Sequence, residues 1–565
     1  MLSINNNHSS TQSSNKVTFK RVLKLIDGKK QYFLLTLLFL IAAKFFLIRN
    51  SEVLALPKDS WGYILMANQK IWFPTNNGEL NELSGHSQGY SIFILFSSLL
   101  NFPLRISHEI FYILSNILLV YSFRRLKIPR LICIAIFAIL TFHVTTFLWF
   151  NTILTETIAI SLYHILLALT VITVMSENLA RKLIFSVLGG LCLGIIFITR
   201  PEQIVFLLSY LVVFVILVLR NRINIARAIR EALPICIIPI AISLLITMFF
   251  TLLNGFFLGV PALSLPSSQA VLGTFVKIRS IDDGKNRDNF NLITINRQQL
   301  LIAYQVSPTF SKLKPLIEKE LATKITSRGG KDTNVELPID WVQWSVIVAA
   351  NQITDTNNRS AYQVFEKINY ELETAFQHKK IKPKAFSFNE IDIGYWLSKF
   401  KRSLTTTTGY LVFPRVSERF LQNTDDKRVT PEMESVFNRV AHRRTHLINQ
   451  KNLNKYLIAY LKRLTPLIHL INILGIISFI ALFVYYLATS IHSPLLDRYI
   501  LIISFTLSII LLRLFLYTVV DMAFFPAPSR YLFPSNSLLS ALSLLNLYVT
   551  VKFLCSKIAR NRRSS

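Results

Sequence analysis

Apolar residues come in long runs along this chain, and polar residues collect between them. A run of about 17–25 apolar residues has the length of a membrane-spanning helix. Ten such runs occur, at about 32–49, 106–124, 130–149, 154–175, 183–199, 202–220, 232–254, 466–490, 498–520 and 531–553. Each predicts a helix that crosses a bilayer. One more apolar run, about 88–102, is shorter. As a helix it reaches about 22 Å, less than a hydrocarbon core of about 30 Å.

The basic residues decide how that short run is treated. Lys and Arg collect in residues 1–31 and at Arg124, Arg125, Lys127 and Arg130. They recur at Arg181–Lys182, at Arg220, Arg222, Arg227 and Arg230, at Arg498, and from Lys552 onward. Basic turns mark the cytoplasmic side of a membrane protein. All of them fall on one side only if 88–102 does not cross. It therefore reads as a helix in the outer interface, and both termini read as cytoplasmic.

The expected class is an all-α polytopic membrane protein of about ten transmembrane helices with outer-face interfacial helices. Residues 1–31 form a basic cytoplasmic N-terminus. Residues 32–258 form an N-terminal transmembrane module whose first outer loop is 50–105. Residues 259–465 form a long outer insert, 466–554 the C-terminal helices, and 555–565 a basic cytoplasmic tail. The insert has amphipathic stretches such as Ile339–Ile353 and Tyr395–Phe400 but no long apolar run, so α and α+β folds both stay open.

Composition agrees. Of 565 residues, 52% are hydrophobic and only 16% charged, with mean hydropathy +0.44. A soluble domain carries about 25% charged residues, and a disordered basic chain would lack this much apolar side chain. The net charge of +30 raises the question of nucleic acid, but repeated spans exclude a soluble binder. The charge divides with the topology instead. Cytoplasmic segments net +18, the insert +12, and everything else zero. The insert's share favours anionic headgroups or phosphate-bearing lipids. The cysteines, Cys133, Cys192, Cys236 and Cys555, have neither metal nor disulfide spacing. The first run lacks a small-residue cleavage site and reads as an anchor that stays.

Chemistry is sought in the charge-balanced remainder on the outer side. Directly after the first run comes Lys58-Asp59-Ser60-Trp61-Gly62-Tyr63, with Ala67 one turn on. His86-Ser87-Gln88-Gly89-Tyr90 opens the short helix. Glu156 stands at the mouth of an apolar helix, where an ionisable group is costly and often functional. Further outer turns hold Arg200-Pro201-Glu202, Asp521, and Arg530-Tyr531 before Pro534. Each has a plain structural reading beside it. Asp59 reads as a helix cap, Glu156 as a headgroup contact, and Arg200 as a boundary marker. Arg530 reads as a snorkelling residue, and Trp61 and Tyr90 as part of an aromatic belt. Lys44 and Arg513 lie inside apolar runs, and the sequence names no partner for either.

In order and sidedness these features resemble the GT-C superfamily of membrane glycosyltransferases. The likeness is to bacterial relatives of protein O-mannosyltransferases and aminoarabinose transferases, over about 32–255 and 466–553. Asp59, Tyr63 and Ala67 match its acid-x-x-x-Tyr-x-x-x-Ala pattern, Gly89-Tyr90 its helix opening, and Glu156 its second acid. Arg200–Glu202 and Arg530–Pro534 match its later turns. Two departures stand out: Ser60 replaces a second acid after Asp59, and the insert has no match.

The resemblance implies an inverting transfer of a sugar from a polyprenyl-phosphate-linked donor to a lipid, glycan or protein acceptor. It implies Asp59 as base, Glu156 as its companion, and a substrate site from Lys58, Trp61, Tyr63, His86, Tyr90, Arg200, Glu202, Asp521, Arg530 and Tyr531. Arg200 and Arg530 would meet the leaving phosphate. No cofactor is expected; the missing D-x-D weakens a metal-dependent version without deciding metal dependence. Partners are the donor, the acceptor and membrane lipids, with no nucleic acid, and the expected location is the bacterial inner membrane. An O-antigen ligase or polymerase-like enzyme and a lipid-glycan transporter or flippase are the alternatives.

Overall fold

The computed structural model describes residues 30–56, 59–69, 71–72, 86–220, 225–284, 294–327, 337–354, 358–384, 393–414, 425–448, 455–489, 494–523 and 529–564. The order begins α1 (Lys30–Ile48), α2 (Asp59–Asn68), α3 (Gly89–Leu99), α4 (Leu104–Arg125), α5 (Arg130–Thr141), α6 (Val144–Trp149) and α7 (Glu156–Met175). It continues with α8 (Leu179–Thr199), α9 (Gln203–Arg220), α10 (Ile225–Ala232), α11 (Ile238–Leu258), α12 (Gln269–Arg279), α13 (Arg297–Val306) and α14 (Pro308–Ser327). It closes with α15 (Ile339–Ile353), α16 (Asn358–Gln377), α17 (Ile393–Val412), α18 (Pro431–Ala441), α19 (Lys455–Thr489), α20 (Pro494–Ala523) and α21 (Phe533–Ser564).

Among the described residues, nine helical segments are long and apolar enough to cross a membrane. The chain is an integral, multi-pass membrane protein. The tenth expected span, 202–220, is the shorter apolar helix α9, and the 88–102 run is the 11-residue helix α3. At about 1.5 Å per residue, α3 is too short to cross. Two expected spans differ in detail. The 130–149 run breaks between α5 and α6, because His143 is extended. The 232–254 run starts with a π-helical turn, Leu233–Ile237, where Pro234 supplies no N–H to an α-helical ladder. It ends at Gly259, whose φ of +69° suits glycine.

Burial ranks the spans. Of its most apolar stretch, α7 has 89% buried, against 17% for α1 and for the span in α19. So α7 is the central post, with α4, α8 and α21 packed on it. The peripheral helices present Phe39, Leu245 and Phe256 outward, as lipid-facing helices do.

Helices α19 and α21 meet closely at Gly475. A Cβ there would fall 2.1 Å from Ser543 Cβ and 2.3 Å from Ser543 Cα. Small residues let membrane helices approach this way. Gly475→Ala must push the helices apart and is expected to cost about 1–3 kcal/mol. Thermal unfolding in detergent checks it; an unchanged midpoint would contradict the close packing.

The described part of the insert is mainly helical. Its strands among the described residues are one two-residue antiparallel pair, Thr294–Ile295 against Leu337–Pro338, with Ile295 opposite Leu337. Helices α12 to α16 enclose a core of their own that includes Phe275, Leu300, Phe310, Val346 and Phe365. Helices α17 and α18 instead return to the bundle. Leu411, Val412, Phe437 and Val440 share the main core with span residues, and α17 lies along α20 while α18 covers α2 and α3.

Candidate functional site

Asp59 is the first residue of α2 and is half-buried. A carboxylate is favoured there by the helix dipole. The segment carrying it is held from two directions. Toward the bundle, Leu54 N donates to Asn151 O (2.8 Å) and Ser60 Oγ to Ile153 O (2.9 Å). From the insert's end, Asp425 Oδ1 accepts from Ala55 N (2.7 Å), and Arg444 reaches Glu52 (2.9 Å) and Ser51 O (2.6 Å). Trp61 packs on Phe437 of α18, with ring centroids 5.8 Å apart. The position of Asp59 thus depends on residues some 370 places later in the chain.

A row of rings leads from Asp59 toward Glu156. His86 lies on Tyr63 (4.6 Å), and Tyr63 meets Tyr90 edge-on (5.2 Å). The Tyr90 hydroxyl contacts His108 Nε2 (3.0 Å) and accepts from Thr157 Oγ1 (3.3 Å), the neighbour of Glu156. Trp344 of α15 reaches His86 from the insert, 6.3 Å between centroids. Gly89 allows this packing, since a Cβ there would lie 2.2 Å from Thr199 Oγ1 and 2.8 Å from Ile198 O.

Burial lowers the His86 pKa from its ordinary 6.5, and the Asp59 carboxylate opposes the shift. The unfolded chain therefore binds more protons in the window between 6.5 and the lowered value. Stability from this group is full above pH 6.5 and is lost as pH falls through that window. His86→Phe is expected to flatten this part of the pH dependence of thermal unfolding. An identical slope in the variant would contradict it.

Glu156 and Arg200 sit in a closed charge cluster. Arg200 pairs with Glu156 (3.2 Å) and Glu202 (2.6 Å), and donates to Thr155 Oγ1 (3.2 Å) and the Tyr517 hydroxyl (2.9 Å). Arg513 pairs with the other Glu202 oxygen and donates to the Tyr163 hydroxyl, and Tyr517 donates to Glu202. Two arginines face two glutamates, all buried. Arg200 and Arg513 meet the two oxygens of Glu202 from opposite helices. Tyr517 stacks flat on Tyr531, 5.0 Å between rings.

The other expected residues are spread more widely. Asp521 accepts from Ser403 Oγ of α17 (2.7 Å). Arg530 lies in the 3-10 turn Ser529–Leu532; its side chain, and Lys58 entirely, fall outside the described residues. Lys44 finds Glu109 (3.5 Å), as Arg513 finds Glu202. Sequence reasoning missed Tyr163, Tyr517, Asp425, Arg444 and Trp344. The tyrosines are one polar atom each in apolar helices. The others reach the site only through folding of the insert. Among the described residues, no three His, Cys, Asp or Glu side chains gather as a metal site would need.

No protein-family model matches this chain, and no curated protein matches it. Among solved structures, it is similar to the crystal structure of ArnT from Cupriavidus metallidurans bound to undecaprenyl phosphate. The identity is 11% and the TM-score 0.28, over 91% of this chain and 78% of that one.

Proposed function

We propose that this protein is a membrane glycosyltransferase that moves a sugar from a polyprenyl-phosphate-linked donor to a lipid, glycan or protein acceptor. The observation that carries the reading is one constellation. Asp59 acts electrostatically on His86, His86 lies on Tyr63 and Tyr63 on Tyr90, and Thr157, which donates to the Tyr90 hydroxyl, is the chain neighbour of Glu156 in the Glu156–Arg200–Glu202 cluster. Aromatic faces suit a sugar ring, and a half-buried carboxylate suits an acceptor hydroxyl.

In this reading Asp59 takes the proton from the acceptor O–H. The acceptor oxygen bonds to the anomeric carbon from the face opposite the leaving group. The carbon–oxygen bond to phosphate breaks, and the lipid phosphate departs with the electron pair. One base suffices for such an inverting displacement. The departing anion needs a cation more than a proton. Arg200 has that charge, but Glu156 and Glu202 already balance it together with Arg513. Engaging a phosphate would therefore require Arg200 to exchange Glu156 for the ligand. Glu156, so released, would turn toward the sugar or acceptor. Arg530 is the second candidate for the phosphate. The orientation follows the basic turns: site outside, termini in the cytoplasm of a bacterial inner membrane.

The test is mass spectrometry of lipid-linked and surface glycans from cells with and without the protein. Loss of one sugar from an acceptor, with its polyprenyl-phosphate form accumulating, is the expected result. Unchanged glycans would remove the enzymatic reading.

A further inference from the structure

One aromatic ring of the insert meets the candidate site and still has free surface. Trp344 stands in α15, and 38% of it is exposed. The helix turns Val342, Val346, Ile347 and Ala350 into the insert's core. Trp344 leaves that core and approaches His86, with 6.3 Å between ring centroids and 40° between ring planes. Asp340, one turn earlier, shares its helix face.

The ring is also fixed in place. Lys324 Nζ of α14 donates to Trp341 O and to Ser345 Oγ, both at 3.0 Å, and Gln343 Nε2 donates to Pro266 O (3.0 Å). These bonds hold the residues on either side of Trp344. The insert is in turn tied to the bundle at the end of α11. Asn254 Nδ2 donates to Ala262 O (2.7 Å), while Asn254 Oδ1 accepts from Trp72 Nε1 of the first outer loop (3.0 Å). Arg359, at the start of α16, packs so close to Gly259 that a glycine Cβ would fall 2.6 Å from Arg359 Cβ. A ring held this way loses little freedom when a ligand stacks on it.

The order of the groups separates donor from acceptor. Trp344 stands at one end of the row, followed by His86, Tyr63 and Tyr90. Thr157, bonded to Tyr90, leads to Glu156 and Arg200 at the other end. Asp59 acts electrostatically on His86, next to Trp344. A lipid phosphate needs the cation, and an acceptor hydroxyl needs the carboxylate. The Trp344 end is therefore the acceptor end. An indole face carries negative charge density that meets the C–H groups of a sugar ring, and a carboxylate beside it accepts from the ring hydroxyls. A simple lipid alcohol or an unmodified peptide hydroxyl brings no such ring.

We infer that Trp344 is the platform on which a sugar ring of the acceptor stacks, so that the acceptor is a glycan or a glycolipid. This rests on the transfer reading above, which alone makes the occupant an acceptor.

The test uses the full chain purified in detergent and native mass spectrometry. The probes are dioleoylglycerol and three dioleoylglycerols that carry glucose, galactose or N-acetylglucosamine. At least one glycosylated lipid is expected to be retained about tenfold more strongly than dioleoylglycerol. Trp344→Leu should erase that preference, and Trp344→Phe should keep most of it. Equal retention of all four lipids would overturn the inference, as would a preference that survives Trp344→Leu. Undecaprenyl phosphate should be retained together with the glycosylated lipid. Displacement of one by the other would put the ring in the donor's place and overturn the acceptor assignment. If Trp344→Leu does not accumulate, the lipid comparison on the unaltered chain still decides. No donor is turned over in this experiment, so a negative result leaves the transfer reading standing. Unchanged cellular glycans would remove that reading separately.

Discussion

Asp59→Asn is expected to lower sugar transfer by about 10²–10⁴-fold, the usual contribution of a general base. The side chain keeps its size and its place at the start of α2, so thermal stability should change little. Acceptor binding should survive, because the aromatic row of His86, Tyr63 and Tyr90 is untouched. The loss should therefore appear in kcat and not in KM. The check is a transfer assay in membranes at matched protein levels. Full activity in the variant would remove Asp59 as base. A loss of activity that tracks a loss of folded protein would make Asp59 a helix-start residue only.

Glu202→Gln carries the largest expected cost in stability. Glu202 meets Arg200 and Arg513 together, and it accepts from Tyr163 and Tyr517. Removing its charge leaves two buried arginines facing Glu156 alone. Breaking a buried pair from one side costs about 3–5 kcal/mol. The variant is expected to unfold at a clearly lower temperature in detergent or to fail to accumulate. Glu202→Gln combined with Arg513→Met removes one charge of each sign and should lose less than the two single changes added together. Full additivity would mean that the two residues do not act as a pair.

The bundle was largely legible in the sequence because membrane helices announce themselves by length. Nine of the ten expected spans fall on helical segments long enough to cross, the 202–220 run is a shorter apolar helix, and the 88–102 run is a helix too short to cross. What hydropathy did not report was the break at His143 and the π-turn at Pro234, where a single residue alters the backbone inside an apolar run. The insert was not legible. Its helices pack on each other through pairs such as Phe275 and Phe365, which are distant in sequence and carry no local signal.

The candidate site was legible in part. Glu156, Arg200 and Glu202 stood out because ionisable groups at the mouths of apolar helices need partners, and here they partner each other. The same argument flagged Lys44 and Arg513 without naming their partners. Those partners, Glu109 and Glu202, lie 65 and 311 positions away, fixed only by helix packing. The hold of Asp425 and Arg444 on the segment before Asp59 had no sequence signature. Acids and arginines in a basic insert read as solvated surface until the chain returns to the bundle.

The most direct measurement follows a labelled sugar in sealed vesicles that contain the purified protein, a polyprenyl-phosphate-linked donor and outer-face acceptors. The label is expected to leave the carrier and become covalently bound to the acceptor, with free polyprenyl phosphate released in equal amount. In Asp59→Asn both are expected to slow by the same about 10²–10⁴-fold. Label that crosses the bilayer still attached to its carrier, with no covalent product, would contradict the account and make the protein a transporter.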